Sequence, residues 1–120
     1  MDDKLAKEIF DIKPEWFRDR CSISVGDGWF NILRILVGHL KDVVKDQKFS
    51  ITTIKEKFGG LRFYVSAVEG EREFDKVNCL IMFAESMSFV TCEYCGRPGK
   101  PRSGSWVKTL CDDCLEKKRP

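Results

Sequence analysis

Histidine is nearly absent from this sequence: His39 is the only one in 120 residues. That excludes most two-histidine mechanisms. The H-x-E motif of zinc deaminases and the H-E-x-x-H motif of metalloproteases are both missing. His39 lies beside an apolar helical stripe with no partner in sequence and reads as an ordinary packing or surface histidine. Long apolar runs are also missing, and none approaches the ~20 residues of a membrane span. The N-terminus, Met1-Asp-Asp-Lys, is acidic and lacks a secretory pattern, so a cytoplasmic protein with no membrane contact is expected. Net charge is small, a formal +2. The clear basic excess behind non-specific nucleic-acid binding is therefore absent, and any phosphate recognition must come from a local patch. There are no internal repeats and no low-complexity segments.

What the chain does have is cysteine, six in all. Four fall in two C-x2-C pairs, Cys92-Glu-Tyr-Cys95 and Cys111-Asp-Asp-Cys114, with fifteen residues between the pairs. Two intervening residues let the chain turn tightly enough for both sulfurs of a pair to face one ion. Two such turns supply four thiolates, a soft tetrahedral set that suits one zinc ion per chain and closes its shell. A closed shell has no position for water or substrate, so this zinc is expected to be structural. A redox role for the pairs, or iron, are the competing readings. Cys21 and Cys79 sit among apolar residues and are expected to be small core fillers. Residues 92–120 hold seven Lys/Arg against four Asp/Glu. Four thiolates and a divalent ion remove most of that excess.

Composition supports a folded core, with 42% apolar and 33% charged residues. Leu5 and Ile9 share one face of a predicted helix over 2–10, and Pro14 can start a short second one carrying Trp16 and Phe17. Residues 21–25 read as extended. Asp27 is expected to cap a long helix reaching about Gln47, with an apolar stripe of Trp29, Ile32, Leu33, Leu36, Leu40, Val43 and Val44. Capping is favoured over a phosphate cradle at this glycine-flanked turn, because the Asp27 carboxylate repels an anion.

Residues 49–67 read as a β-hairpin around a two-residue Gly59-Gly60 turn. That register pairs Phe58 with Leu61, Lys57 with Arg62, Glu56 with Phe63 and Ile54 with Val65. It sorts Ile54, Phe58, Leu61, Phe63 and Val65 to one face. Thr53, Lys55, Lys57, Arg62, Tyr64 and Ser66 go to the other. Glu56 is the exception on the apolar face. It either snorkels at the sheet edge, the favoured reading, or is a buried acid paired to a cation. A second long helix runs from the 70–73 turn to about Ser88, with Phe74, Val77, Ile81, Ala84 and Ser88 in period, Leu80 beside them, and Met82 and Met87 expected in the core. Arg97 to Arg102 is a stiff basic loop, Trp106 to Leu110 a short strand, and Lys117 to Pro120 a solvated tail. The expected fold is α+β: two long helices packed on a β-hairpin or small antiparallel sheet, with a C-terminal zinc ribbon. Residues 1–89 form the helix and hairpin unit and residues 90–120 the ribbon, docked or appended.

Gly26-Asp-Gly-Trp29, Lys55-Glu-Lys-Phe-Gly-Gly-Leu-Arg-Phe-Tyr64, Ala84-Glu-Ser86, Thr91-Cys-Glu-Tyr-Cys-Gly96 and Thr109-Leu-Cys-Asp112 occur in that order. Together they resemble a family of small zinc-ribbon proteins carried by bacteriophages, prophages and bacteria. The resemblance covers about residues 22–115. It implies a phage-associated setting in a bacterial host, where small accessory proteins often bind nucleic acid or counter host systems. It implies no catalytic residues.

Three classes of function follow. The first is a non-enzymatic binding protein for an anionic ligand such as a nucleotide, or for an acidic protein partner. It would use Lys55, Lys57, Arg62 and Tyr64 on the hairpin, with Arg97, Lys100 and Arg102 of the loop as a second contact. The second is a nucleic-acid-binding ribbon built on Arg97, Lys100, Arg102, Lys108 and Trp106. The third is a carboxylate enzyme using Asp27 or Glu56. A plain solvated face competes with every basic patch.

Overall fold

Asp2 opens the first helix by accepting hydrogen bonds from the backbone N–H groups of Lys4 and Leu5, so an acidic side chain satisfies donors that the helix cannot. In a computed structural model, which describes residues 1–17 and 21–118, this helix is α1, Asp3–Phe10. Residues 119 and 120 of the expected solvated tail lie outside the described residues. A 3-10 turn over Pro14–Phe17 buries Trp16, whose ring meets Phe49 edge-on at 4.7 Å. Strand β1 is Ile23–Ser24.

The turn at Gly26 to Trp29 departs from expectation. A 3-10 turn, Asp27–Trp29, precedes helix α2, Phe30–Val44, and neither start carries a side-chain cap. Asp27 instead accepts a hydrogen bond from the backbone N–H of Asp2 at 2.7 Å, tying the N-terminus to this turn. Leu33, Leu36, Val37, Leu40 and Val44 form the buried stripe of α2. The helix ends short of Gln47, where Lys45 takes a positive φ.

Strands β2, Ile51–Lys57, and β3, Gly60–Val65, form the hairpin, and β1 adds to β2 in parallel. The expected register is wrong by one residue on each strand. The turn is Phe58-Gly59, with φ of 55° and 86°, and Lys57 closes the ladder against Gly60. Positive φ at both turn residues is the geometry that matches strand twist. Distant packing selects it over Gly59-Gly60. The Phe89 ring lies directly on Gly60, where any Cβ would overlap it, and Thr109 Oγ1 donates to the Gly59 carbonyl at 2.6 Å. Equal slips on both strands preserve the in–out alternation. Ile54, Leu61 and Phe63 therefore still face the core, while Lys55 now faces Arg62 and Thr53 faces Tyr64. Only Phe58 changes side, from core to exposed turn.

Helix α3, Glu71–Ser88, packs Val77, Ile81, Ala84 and Ser88 against α2 and β3. Phe74, Met82, Met87 and Cys79, all expected inside, are exposed; Cys21 is buried. The outer edge of β3 is covered by this helix. Leu61 N–H donates to Ser88 Oγ at 2.9 Å and Phe63 N–H to Glu85 Oε2 at 3.2 Å. The chain finishes with β4, Lys100–Arg102, paired antiparallel to β5, Lys108–Leu110, and with α4, Asp112–Lys118. The fold is mixed α+β, with a three-stranded sheet, a two-stranded sheet and four α-helices among the described residues. No helix among them is long and apolar enough to cross a membrane.

Candidate metal centre and basic face

Each C-x2-C pair sits at a change of direction. Cys92 to Gly96 is a tight turn in which Gly96 N–H donates to the Cys92 carbonyl at 2.9 Å, with Gly96 at φ 81°. Cys111 leads out of β5, and α4 begins directly after it, so Cys114 comes back over Cys111 and its N–H points at the Cys111 sulfur, 3.3 Å away. The four sulfurs lie within 4.8 Å of one another. A tetrahedron of thiolates at zinc–sulfur bond length has sulfur separations of about 3.8 Å. The donor set and its spacing therefore fit one metal ion, with Cys92, Cys95, Cys111 and Cys114 as ligands.

Crowded sulfurs pull one another's proton affinities apart. Burial raises the Cys92 thiol, but hydrogen bonds from the backbone at Cys111, Cys95 and Tyr94 and from the Cys95 side chain prevail and bring it to about 7. Burial and the neighbouring sulfurs push Cys114 up to about 12. A divalent cation bound here would resolve this conflict by holding all four as thiolates.

The module is locked onto the rest of the chain. Gly28 N–H donates to the Glu93 carbonyl at 2.7 Å, Gly26 N–H to Glu93 Oε2 at 3.0 Å, and the Trp29 indole N–H to the Thr91 carbonyl at 2.9 Å. The N–H groups of the Gly26–Trp29 turn thus serve the first cysteine turn. Gly28 has no room for a side chain, because a Cβ there would overlap the Cys92 carbonyl oxygen. On the opposite side Lys108, its side chain 14% exposed, lies 2.9 Å from Glu56 and 3.4 Å from Glu93. Burial lowers the Lys108 pKa, and the two carboxylates overcome that and raise it. Glu56 also accepts the Gly59 N–H at 2.8 Å. The edge-snorkelling reading of Glu56 is thereby corrected: it is a paired, largely buried acid, because the cysteine module brings a lysine to it. With both oxygens engaged, Glu56 is a structural carboxylate. Sequence reasoning missed Glu93, and it offered Lys108 as a nucleic-acid contact where the structure pairs it with two carboxylates. The only available signal was the misplaced charge of Glu56.

The expected basic residues fall into two groups. In the loop, Arg97 pairs with Asp113 at 3.0 Å. Arg102 donates to the Leu110 carbonyl at 3.1 and 3.0 Å and pairs with Asp112 at 2.7 Å. Both brace the module. Lys100 is exposed on β4. On the outer face of the sheet, Lys55, Lys57, Arg62 and Tyr64 lie together. None of the three cations joins an ion pair among the described residues. Elsewhere a cleft of ≈590 Å³ opens between α2 and α3, with Phe30, Ile35, His39, Leu80, Phe83, Met87, Cys95 and Gly96 among its lining residues. That position explains why Met87 is not core.

Compared with protein-family models, curated proteins and solved structures, the chain shows no match.

Proposed function

We propose that this chain is a non-enzymatic, zinc-stabilised binding protein that takes an anionic ligand or acidic partner on the outer face of its hairpin. The observation that carries the reading is the contrast between its two sets of cations. Arg97, Arg102 and Lys108 are each neutralised by a carboxylate of this chain, whereas Lys55, Lys57 and Arg62 share one face and join no ion pair among the described residues. Like charges directly opposite, Lys55 and Arg62, repel across a ladder, so the pairing does not serve stability. An external anion compensates it. The four thiolates hold a zinc ion, in a ribbon whose role is to fix the hairpin tip and the Gly26–Trp29 turn. The phage-associated setting implied by the order of motifs suits a small accessory protein acting by capture, including capture of a host defence component.

The test is retention on heparin, a polyanion without bases, for the native chain and for Lys55→Glu, Lys57→Glu and Arg62→Glu. The reading expects each reversal to lower the eluting salt while the melting temperature stays close to native. Unchanged elution in all three overturns it.

A further inference from the structure

Phe58 occupies a position that neither its backbone nor its burial favours. It is the first residue of a two-residue hairpin turn, where Asn or Asp is the usual choice, and it holds a φ of 55°. A bulky residue at positive φ is a genuine outlier. The residue is 68% exposed, so no burial in the core compensates the strain. Strain kept at an exposed position points outward, to something the ring meets.

Two more exposed rings belong to the hairpin or its tip. Trp106 is 71% exposed. Lys108 Nζ lies 5.0 Å from the Trp106 ring centroid and is bonded to Glu56 beneath the turn, which brings the indole to the hairpin tip. Tyr64, 49% exposed, lies on the outer face one step from the Lys55–Arg62 pair. Lys57 leans over the Phe58 ring at 5.5 Å. From the Thr53–Tyr64 pair to the turn, the outer face runs about 15 Å at strand rise, ring to cation to ring, the reach of a few nucleotides.

We infer that this face binds single-stranded nucleic acid, with Tyr64 and Phe58 stacking on unpaired bases along it, Lys55, Lys57 and Arg62 taking the phosphates between them, and Trp106 stacking on a base that passes the hairpin tip. The inference rests on the anion-binding reading above and names its ligand. Acidic side chains would satisfy the cations and give the separated rings no common role. Bases on a phosphate chain satisfy both. Duplex DNA does not fit, because its bases are already stacked. Nor is the sheet a two-stranded ribbon of the width a major groove admits, since β1 lies alongside β2 as a third strand.

The experiment is fluorescence anisotropy with labelled twelve-residue oligothymidylate and oligouridylate, and with a duplex of the same length, run beside the heparin assay. The variants are Tyr64→Leu, Trp106→Ala and Phe58→Asn; the last relieves the turn and folds at least as well as native. The expected result is tighter binding of the single strands than of the duplex, with each ring variant weakening it roughly 5- to 150-fold and leaving heparin elution unchanged. Heparin retention that depends on the cations, with single strands no tighter than duplex or indifferent to the rings, overturns this inference and leaves the anionic face standing for an acidic protein. Competition by thymidine monophosphate as strong as by the oligomer overturns the strand in favour of a single nucleotide. Cation reversals that alter neither assay sink both.

Discussion

Gly28 lies against Cys92 so closely that a Cβ at position 28 would overlap the Cys92 carbonyl oxygen. The contact joins the turn before α2 to the first cysteine of the candidate metal centre. Gly28→Ala must therefore push the cysteine turn away, costing about 1–3 kcal/mol as an overpacking change. Its metal should also pass faster to a chromogenic chelator. Thermal denaturation and chelator competition, run on the same sample, should move together. A destabilised variant with unchanged metal transfer would mean that the contact does not couple the two.

Metal removal has a distinct expected signature. Native mass spectrometry should find one zinc per chain, and Cys92→Ser or Cys111→Ser should abolish it. Because the Trp29 indole donates to the carbonyl of Thr91, next to the first ligand, chelation should shift tryptophan fluorescence. Far-ultraviolet circular dichroism should keep most of its helical signal, since the stripes of α2 and α3 bury themselves against each other and the sheet. Iron with a visible chromophore would refute the assignment of the ion.

Among the described residues, Lys108 is the one cation paired with Glu56 and Glu93. Lys108→Met leaves two largely buried carboxylates facing each other and should cost ~3 kcal/mol in urea denaturation. Adding Glu56→Gln should recover part of that loss. The pKa of Lys108 is raised above its ordinary 10.5 by these partners. Its stabilising contribution is therefore complete below pH 10.5 and lost as pH climbs through the higher folded value. The native chain should weaken in that alkaline range by more than the Met variant does.

The hairpin register predicts opposite outcomes for two phenylalanines. Phe63→Ala removes a fully buried ring and should cost about 3–5 kcal/mol. Phe58→Asn replaces a strained, exposed residue with one suited to positive φ, and should raise stability by about 1 kcal/mol. Melting temperatures decide this directly. Comparable losses at both positions would restore the turn at Gly59-Gly60.

Periodicity made most elements legible. The stripes at Leu33, Leu36 and Leu40 and at Val77, Ile81 and Ala84 are local patterns, and they form the helices they predict. The alternation of β2 and β3 told inside from outside even with the turn misplaced, because equal slips on both strands leave parity intact. The errors share a cause. The turn position depends on Phe89 and Thr109, which lie 29 and 50 residues away from Gly60 and Gly59. The role of Glu56 depends on Lys108, 52 residues on. Asp27 has all the local features of a helix cap, yet the N-terminus takes its carboxylate. Spacing revealed the four cysteines because a metal site of this kind is written in short segments. The glycine turn that anchors them is not, since only the folded chain brings Gly28 to Cys92. The same holds for Arg97 and Arg102, whose partners Asp113 and Asp112 are supplied by α4.

The cover that α3 gives to β3 has a consequence for synthesis. The hydrogen-bond acceptor for Leu61 lies 27 residues downstream, at Ser88. At ordinary elongation rates the ribosome needs ~1–5 s to add that stretch. Through that interval the hairpin has left the tunnel with bare amides along one margin, next to other nascent chains on the same message. A mutation that delays helix α3 prolongs this exposure without altering the finished molecule, so its harm would register as lower yield, and purified protein would melt as before.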